Sequence, residues 1–230
     1  MLLYYITDRL QFPGDENSRR IRLLETIAQA VRCGVDFIQL REKDLSPHQL
    51  ETLAREAVQL RTENQELETG FLINSRTDIA LACGAQGVHL RSNDISPSEV
   101  RKIWDQSGMG TDVTVGVSCH TRVEVARAAD EGASFAVFGP VFGKISEERT
   151  RASATGLEAL HEACQEKIPV IALGGVTLEN AESCIQAGAA GIAAIRLFQQ
   201  NEMGITVAAL RRLGAVVGRQ SSGVSQSLPC

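Results

Sequence analysis

The phrase that decides the fold occurs four times: Val31-Arg-Cys-Gly34-Val-Asp-Phe-Ile-Gln-Leu40, Leu81-Ala-Cys-Gly84-Ala-Gln-Gly-Val-His-Leu90, Ala129-Asp-Glu-Gly132-Ala-Ser-Phe-Ala-Val-Phe138 and Gln186-Ala-Gly188-Ala-Ala-Gly-Ile-Ala-Ala-Ile195. Each copy reads as a helix end, a glycine just past it, and a short apolar strand. Glycine there suits the left-handed turn that closes a helix. The copies recur at roughly 50-residue intervals, too long for one strand–helix unit and right for two.

Working outward, the missing strands fall at Leu2–Ile6, Phe71–Ile73, Val113–Val117 and Val170–Leu173. Helical periodicity fills the gaps, as in Ile21, Leu24, Ala28 and Val31 or Leu50, Leu53, Ala57 and Leu60. Ser46-x-x-Gln49, Ser96-x-x-Glu99, Thr121-x-x-Glu124 and Thr155-x-x-Glu158 fit capping boxes at helix starts. Strands alternating with helices in fourfold repeat predict an α/β fold, a single-domain (β/α)8 TIM barrel over residues 1–217. A doubly wound open sheet is the alternative. Residues 218–230 read as a flexible tail.

Composition agrees. The chain has 230 residues, 43% hydrophobic and 22% charged, the balance of a globular protein long enough for one large core. A net charge of −5 and aromatics at 4% argue against nucleic acid, which needs cationic tracks and stacking platforms. No apolar stretch approaches a membrane span, and the start lacks a signal peptide's basic flank, so a cytoplasmic protein is expected. Six cysteines lie scattered without a Cys-x-x-Cys pair, so free thiols are expected rather than disulfides or zinc.

Active sites of such barrels lie where the strands end at their carboxyl side. The residues there are Thr7 to Arg9, Arg41 to Asp44, Asn74 to Arg76, Arg91 to Asp94, Ser118 to His120, Gly139 to Ser146, Gly174-Gly175 and Arg196. This rim is cationic in an acidic protein, so the substrate should be a small anion. Gly174-Gly175 let backbone N–H groups approach a ligand, with Thr177 as a candidate cap for the helix behind, and strand-7 and strand-8 loops commonly hold phosphate. A phosphate held by Gly174, Gly175, Ile195 and Arg196 is therefore expected; the plain alternative is a tight turn.

Gln39-Leu-Arg41-Glu-Lys43 sets two cations at a strand end, with a solvated salt bridge to Glu42 or Asp44 as the plain alternative. His120 is the acid–base candidate, because imidazole titrates near neutrality. His89 sits inside a strand and reads as core or support, while His48 and His161 fall in helix starts. Cys119 beside His120 points to the opposite face of its strand and is discounted.

Tyr4-Tyr-Ile-Thr-Asp-Arg9, Gln39-Leu-Arg-Glu-Lys43, Leu72-Ile-Asn74, Gly87-Val-His-Leu90, Gly116-Val-Ser-Cys-His120, Gly139-Pro-Val-Phe142 and Gly174-Gly-Val-Thr177 occur in this order. As a set they resemble the thiamin phosphate synthase/TenI superfamily, from about Tyr4 to Phe198. The resemblance implies a homodimeric barrel that binds a phosphorylated thiazole, and the composition already argues against nucleic-acid or membrane partners. It places Gln39, Arg41, Lys43, Asn74, Ser118, Lys144 and Ser146 around the substrate.

Within that superfamily the synthases join a pyrimidine pyrophosphate to a thiazole phosphate using magnesium, and their third strand typically ends Ile-Asn-Asp. Here Ser75 stands where that metal-binding Asp belongs, and Asp94 alone matches the metal carboxylates. The strand-6 loop, typically Thr-x-Thr-Lys, is Lys144-Ile-Ser146-Glu147. These departures favour the TenI-type thiazole tautomerases, which need no metal and for which His120 is the implied proton shuttle. A magnesium-dependent synthase is the alternative, and a catalytically silent thiazole-phosphate-binding relative a third reading.

Overall fold

In the computed structural model, which describes residues 1–62, 69–110, 112–143 and 154–222, eight parallel strands close in chain order into a barrel. They are β1 (Leu2–Ile6), β2 (Phe37–Leu40), β3 (Gly70–Asn74), β4 (Gly87–Leu90), β5 (Thr114–Cys119), β6 (Phe135–Phe138), β7 (Val170–Leu173) and β8 (Gly191–Ala194). The seam is β8 against β1, with Leu2 opposite Gly191 and Tyr4 opposite Ala193. The helices are α1 (Glu16–Arg32), α2 (Pro47–Thr62), α3 (Thr77–Cys83), α4 (Pro97–Gln106), α5 (Arg122–Asp130), α6 (Gly156–Ala163), α7 (Ala181–Gln186), α8 (Arg196–Gln199) and α9 (Met203–Ser222). The expected barrel is the observed one.

The repeat works as its chemistry suggests. Gly34, Gly84, Gly132 and Gly188 all have positive φ, from 70° to 104°, so each reverses the chain at a helix end where a Cβ would be strained. Ser96 with Glu99 and Thr121 with Glu124 form complete capping boxes, and Ser46 exchanges bonds with Gln49.

Two local expectations are corrected. Thr155 makes no cap; its hydroxyl donates to the Pro140 carbonyl at 3.0 Å instead. Thr177 does not cap α7, which begins only at Ala181; Thr177 sits in a turn whose N–H donates to Asn180. Helix α9 runs to Ser222, and 223–230 lie outside the described residues.

Side chains alternate across the strands, so each strand gives one face to the helices and one to the barrel interior. The helix-facing set forms the large core, including Leu3, Tyr5, Ile38, Phe71, Val115 and Phe138. The interior set is smaller: Tyr4, Ile6, Leu72, Phe135, Val137, Ile171 and Ala193. Tyr4, Phe37 and Phe135 fill the interior with ring contacts of 5.2 to 6.0 Å. Space for them comes from missing side chains opposite: a Cβ on Gly116 would lie 2.7 Å from the Phe135 ring and 2.9 Å from His89 Nδ1. Among the described residues, no helix is long and apolar enough to cross a membrane. Cys33, Cys83, Cys119, Cys164 and Cys184 are free thiols, and Cys230 lies outside the described residues.

Candidate active site

At the ends of β1 and β2 the backbone is held by a charged cluster. Arg9 is only 3% exposed, and its guanidinium pairs with Asp44 (2.7 and 2.8 Å), Glu16 (2.8 and 3.1 Å) and Glu42 (3.2 Å). Glu42, also buried, accepts from the Thr7 hydroxyl at 2.6 Å, and Thr7 Oγ1 in turn accepts the Arg41 N–H at 3.0 Å. Burial raises the Glu42 carboxyl, opposed by Thr7 and Arg9, whereas Arg9 lowers Asp44. Glu42 is therefore no solvated rim charge. It fixes the backbone that carries half-buried Arg41 and exposed Lys43. Gln39, one layer deeper and 1% exposed, donates its amide to the Tyr4 phenol at 2.9 Å.

The next two strands bring hard oxygens together. Ser75, just past β3, is the sole non-glycine with positive φ (58°) among the described residues, a conformation that tends to mark functional turns. Its hydroxyl donates to Asp94 Oδ2 at 2.6 Å and lies 3.3 Å from the Asn74 amide nitrogen. Asp94 also accepts the Arg91 N–H at 2.8 Å and its guanidinium at 3.0 Å. Partial burial works to raise the Asp94 carboxyl, but the Ser75 and Arg91 bonds outweigh it and the value is lowered. Asp94 is thus ionised at neutral pH.

On β4 and β5, His89 bonds Tyr4 OH through Nδ1 (3.1 Å) and Ser118 Oγ through Nε2 (2.8 Å). Burial, then the nearby Arg41 charge, lowers the imidazole to about 3, so it is neutral. Cys119 points the other way, into the helix layer, where burial pushes its thiol up to about 12; no thiolate pair forms with His120. His120 is exposed, and its Nδ1 lies 2.5 Å from the Gly139 carbonyl, which precedes a cis bond to Pro140. A cavity of about 120 Å³ beside this edge is lined by Arg91, Asp94, Ser118 and Arg127, among others.

After β7, Gly174 (φ 99°) and Gly175 (φ 67°) turn under the β6 loop. The Gly174 carbonyl accepts from Phe142 N–H at 2.9 Å, and the Leu173 carbonyl from Val141 N–H at 2.8 Å. Among the described residues, the N–H groups of Gly174 and Gly175 have no protein acceptor. Ile195 follows β8 as the residue before α8, and exposed Arg196 begins that helix.

Gln39, Arg41, Asn74, Ser75, Ser118, Gly174, Gly175, Ile195 and Arg196 therefore all belong to the interior or the carboxyl-end rim of one barrel. Lys144 and Ser146, with Glu147, lie outside the described residues. No cluster of three or more His, Cys, Asp or Glu suited to a metal occurs among the described residues. The sequence reading does not single out Tyr4, and it takes Glu42 for a solvated rim partner rather than a buried anchor. Tyr4 shares the inward parity of Gln39, His89 and Ser118, which is the signal that could have found it.

Known proteins resemble this arrangement along most of the chain. The family model described as "Thiamine monophosphate synthase" matches residues 3–198. A protein of Syntrophomonas wolfei named "Thiamine-phosphate synthase" is 37% identical over 194 residues, 84% of this chain and 86% of that one. Another of that name, from Chlorobium phaeovibrioides, is 38% identical over 73% of this chain and 76% of its own length. The solved structure titled "Thiamine phosphate pyrophosphorylase from Pyrococcus furiosus" superposes with TM-score 0.76 at 28% identity, covering 94% of this chain and 96% of that one.

These relatives overturn the preference for a tautomerase. That preference rested on Ser75 and Glu147, and the geometry at Ser75 removes half of its ground. A hydroxyl 2.6 Å from a carboxylate is still a second hard oxygen, so losing one carboxylate does not abolish the pair. The shuttle role assigned to His120 goes with the tautomerase.

Proposed function

The chain belongs to the thiamine monophosphate synthase family, and from that membership we propose that it is a thiamin phosphate synthase. In this reaction the thiazole nitrogen forms a C–N bond to the methylene carbon of hydroxymethylpyrimidine pyrophosphate. The C–O bond to the diphosphate breaks, and pyrophosphate leaves with its electron pair. What supports the reading is the likeness to named synthases over most of the chain, together with two separate anion-seeking regions on one rim. Arg41 and Lys43 on the β2 side would take the diphosphate, with Asn74 and Ser118 completing that half. Gly174, Gly175, Ile195 and Arg196 would take the thiazole phosphate through backbone N–H groups and one guanidinium. Each substrate would thus be anchored by its anion, and orientation is what this chemistry needs most.

The Ser75–Asp94 pair fits magnesium in such a site. Magnesium keeps several waters and takes one or two carboxylates plus substrate phosphates, and serine hydroxyls serve as its ligands in phosphate loops. Bound there, the ion would neutralise charge on the departing diphosphate. Ser75→Asp, tolerated because Asp visits positive φ readily, is expected to lower the magnesium concentration for half-maximal activity several-fold. Direct manganese titration should show the same tightening; unchanged metal affinity would detach Ser75 from the metal.

His120 has a different role in this reading. It donates Nδ1–H to Gly139 and ties the end of β5 to the β6 loop, so it holds a loop and moves no proton. His120→Ala should lower kcat less than tenfold and leave the pH–rate profile unshifted. A loss of about 10²–10⁴-fold, the range of a general acid–base group, would restore proton transfer to His120. The reading as a whole is tested by incubating the protein with both substrates and magnesium. Thiamin phosphate and pyrophosphate should appear in equal amounts, and absence of both while the substrates bind would refute it.

A further inference from the structure

We propose that Tyr4 and His89 are positioning residues: the buried chain Gln39–Tyr4–His89–Ser118 fixes the imidazole as its Nε2–H tautomer and leaves the Ser118 hydroxyl as a donor to a substrate diphosphate oxygen. The chain crosses the barrel interior through contacts of 2.9, 3.1 and 2.8 Å. Tyr4 and His89 are 0% and 2% exposed, so each polar atom must find its partner within the protein.

The direction of the protons follows link by link. The Gln39 amide nitrogen can only donate, so the phenol oxygen accepts there and must spend its own O–H on His89 Nδ1. An imidazole that accepts at Nδ1 carries its single proton on Nε2, and that N–H donates to Ser118 Oγ. Ser118 has then accepted one bond and keeps its O–H for another acceptor, at the carboxyl end of β5. A doubly protonated ring would set a second donor against the phenol oxygen and leave the buried Tyr4 O–H without an acceptor, so the chain requires a neutral ring.

The interior is shaped around this chain. Tyr4 is pinned edge-on between Phe37 and Phe135, and Gly116 carries no Cβ where one would meet His89 Nδ1 at 2.9 Å. Reversing the chain would turn the Gln39 oxygen to the phenol, put the proton on Nδ1 and spend the Ser118 O–H on the imidazole. Ser118 would then offer only lone pairs to an anion. The cationic rim argues for the first order.

The identity of the acceptor rests on the synthase reading; the tautomer does not. Nitrogen-15 spectra of the wild-type protein without ligand should show His89 as the Nε2–H tautomer. A Nδ1–H or protonated ring overturns the proposal, whatever the variants do. Tyr4→Phe should give a mixture of tautomers and weaken inorganic pyrophosphate binding, read by calorimetry with magnesium present, by about tenfold. Ser118→Ala should weaken it about ten- to a hundredfold, as expected for a bond to a charged acceptor. The double variant should lose little more than Ser118→Ala alone, because both changes act on one hydroxyl. Losses that multiply, or a Tyr4→Phe protein that binds pyrophosphate normally, overturn the positioning role. A correct tautomer and these binding losses without synthase turnover would instead place the failure in the proposed reaction.

Discussion

Gly174→Val is expected to weaken thiazole phosphate binding at least tenfold and to cost the fold about 2–5 kcal/mol. Two separate faults add. At φ 99° the backbone lies where only glycine is comfortable, and holding another residue there costs on the order of 1–3 kcal/mol. A Cβ would also stand 2.5 Å from Pro140 Cβ and 2.6 Å from Pro140 Cα. The β6 loop cannot simply withdraw, since Val141 and Phe142 donate their N–H groups to the Leu173 and Gly174 carbonyls. Moving the loop breaks those bonds and rotates the Gly174 and Gly175 amides away from the proposed anion. Urea denaturation measures the first effect and calorimetric titration with thiazole phosphate, on the folded fraction, the second. Lower stability with unchanged affinity would mean the glycines serve packing alone, and the phosphate assignment would fall.

That ambiguity shows how far the sequence carries. A glycine pair after an apolar strand announces a close approach, but not whether a ligand or a neighbouring loop approaches. Here the loop does, and Thr177, read as a helix cap, belongs to a longer turn. The architecture was legible because the repeat makes the same local statement four times, in helix end, glycine and strand. The caps at Ser96 and Thr121 are equally local and formed as read. Thr155 failed for a tertiary reason: the Pro140 carbonyl, fifteen residues away, competes for its hydroxyl.

Function was legible to the level of the family and misread below it. The choice between two reactions hung on Ser75 and on a loop, and a side chain's identity does not tell what stands beside it. Ser75 keeps its oxygen on Asp94. The Gln39–Tyr4–His89–Ser118 chain links four strands, with Tyr4 and His89 85 positions apart in sequence. Only strand parity within a closed barrel brings these residues to one interior, and polar residues in apolar strands read as incidental until it does.

Arg9→Met should destabilise the protein by about 3–5 kcal/mol, because it strands a carboxylate inside the fold rather than removing an exposed pair. Met replaces much of the apolar stem, so the loss is chiefly electrostatic. Glu42 would retain its burial and the Thr7 bond but lose the guanidinium at 3.2 Å. The effect has a pH signature. Burial already raises the Glu42 carboxyl, so its contribution favours folding below the unfolded value, near 4.3, and is lost as pH rises through the folded value. Without Arg9 that folded value climbs further. Asp44 has the opposite sense: Arg9 lowers it, which stabilises above its unfolded value and fades as pH falls through the folded one. The variant gives up that stabilisation. Both changes make its deficit grow with pH, so the stability gap to wild type should be wider at pH 8 than at pH 4.5. Thermal or urea unfolding at the two pH values checks this, and a constant gap would mean that Glu42 is not the stranded charge. The same variant should bind diphosphate more weakly, since Glu42 reaches the Arg41 backbone through Thr7 Oγ1. Stability and anion recognition thus share one buried carboxylate, flanked in sequence by the two cations that it holds at the rim.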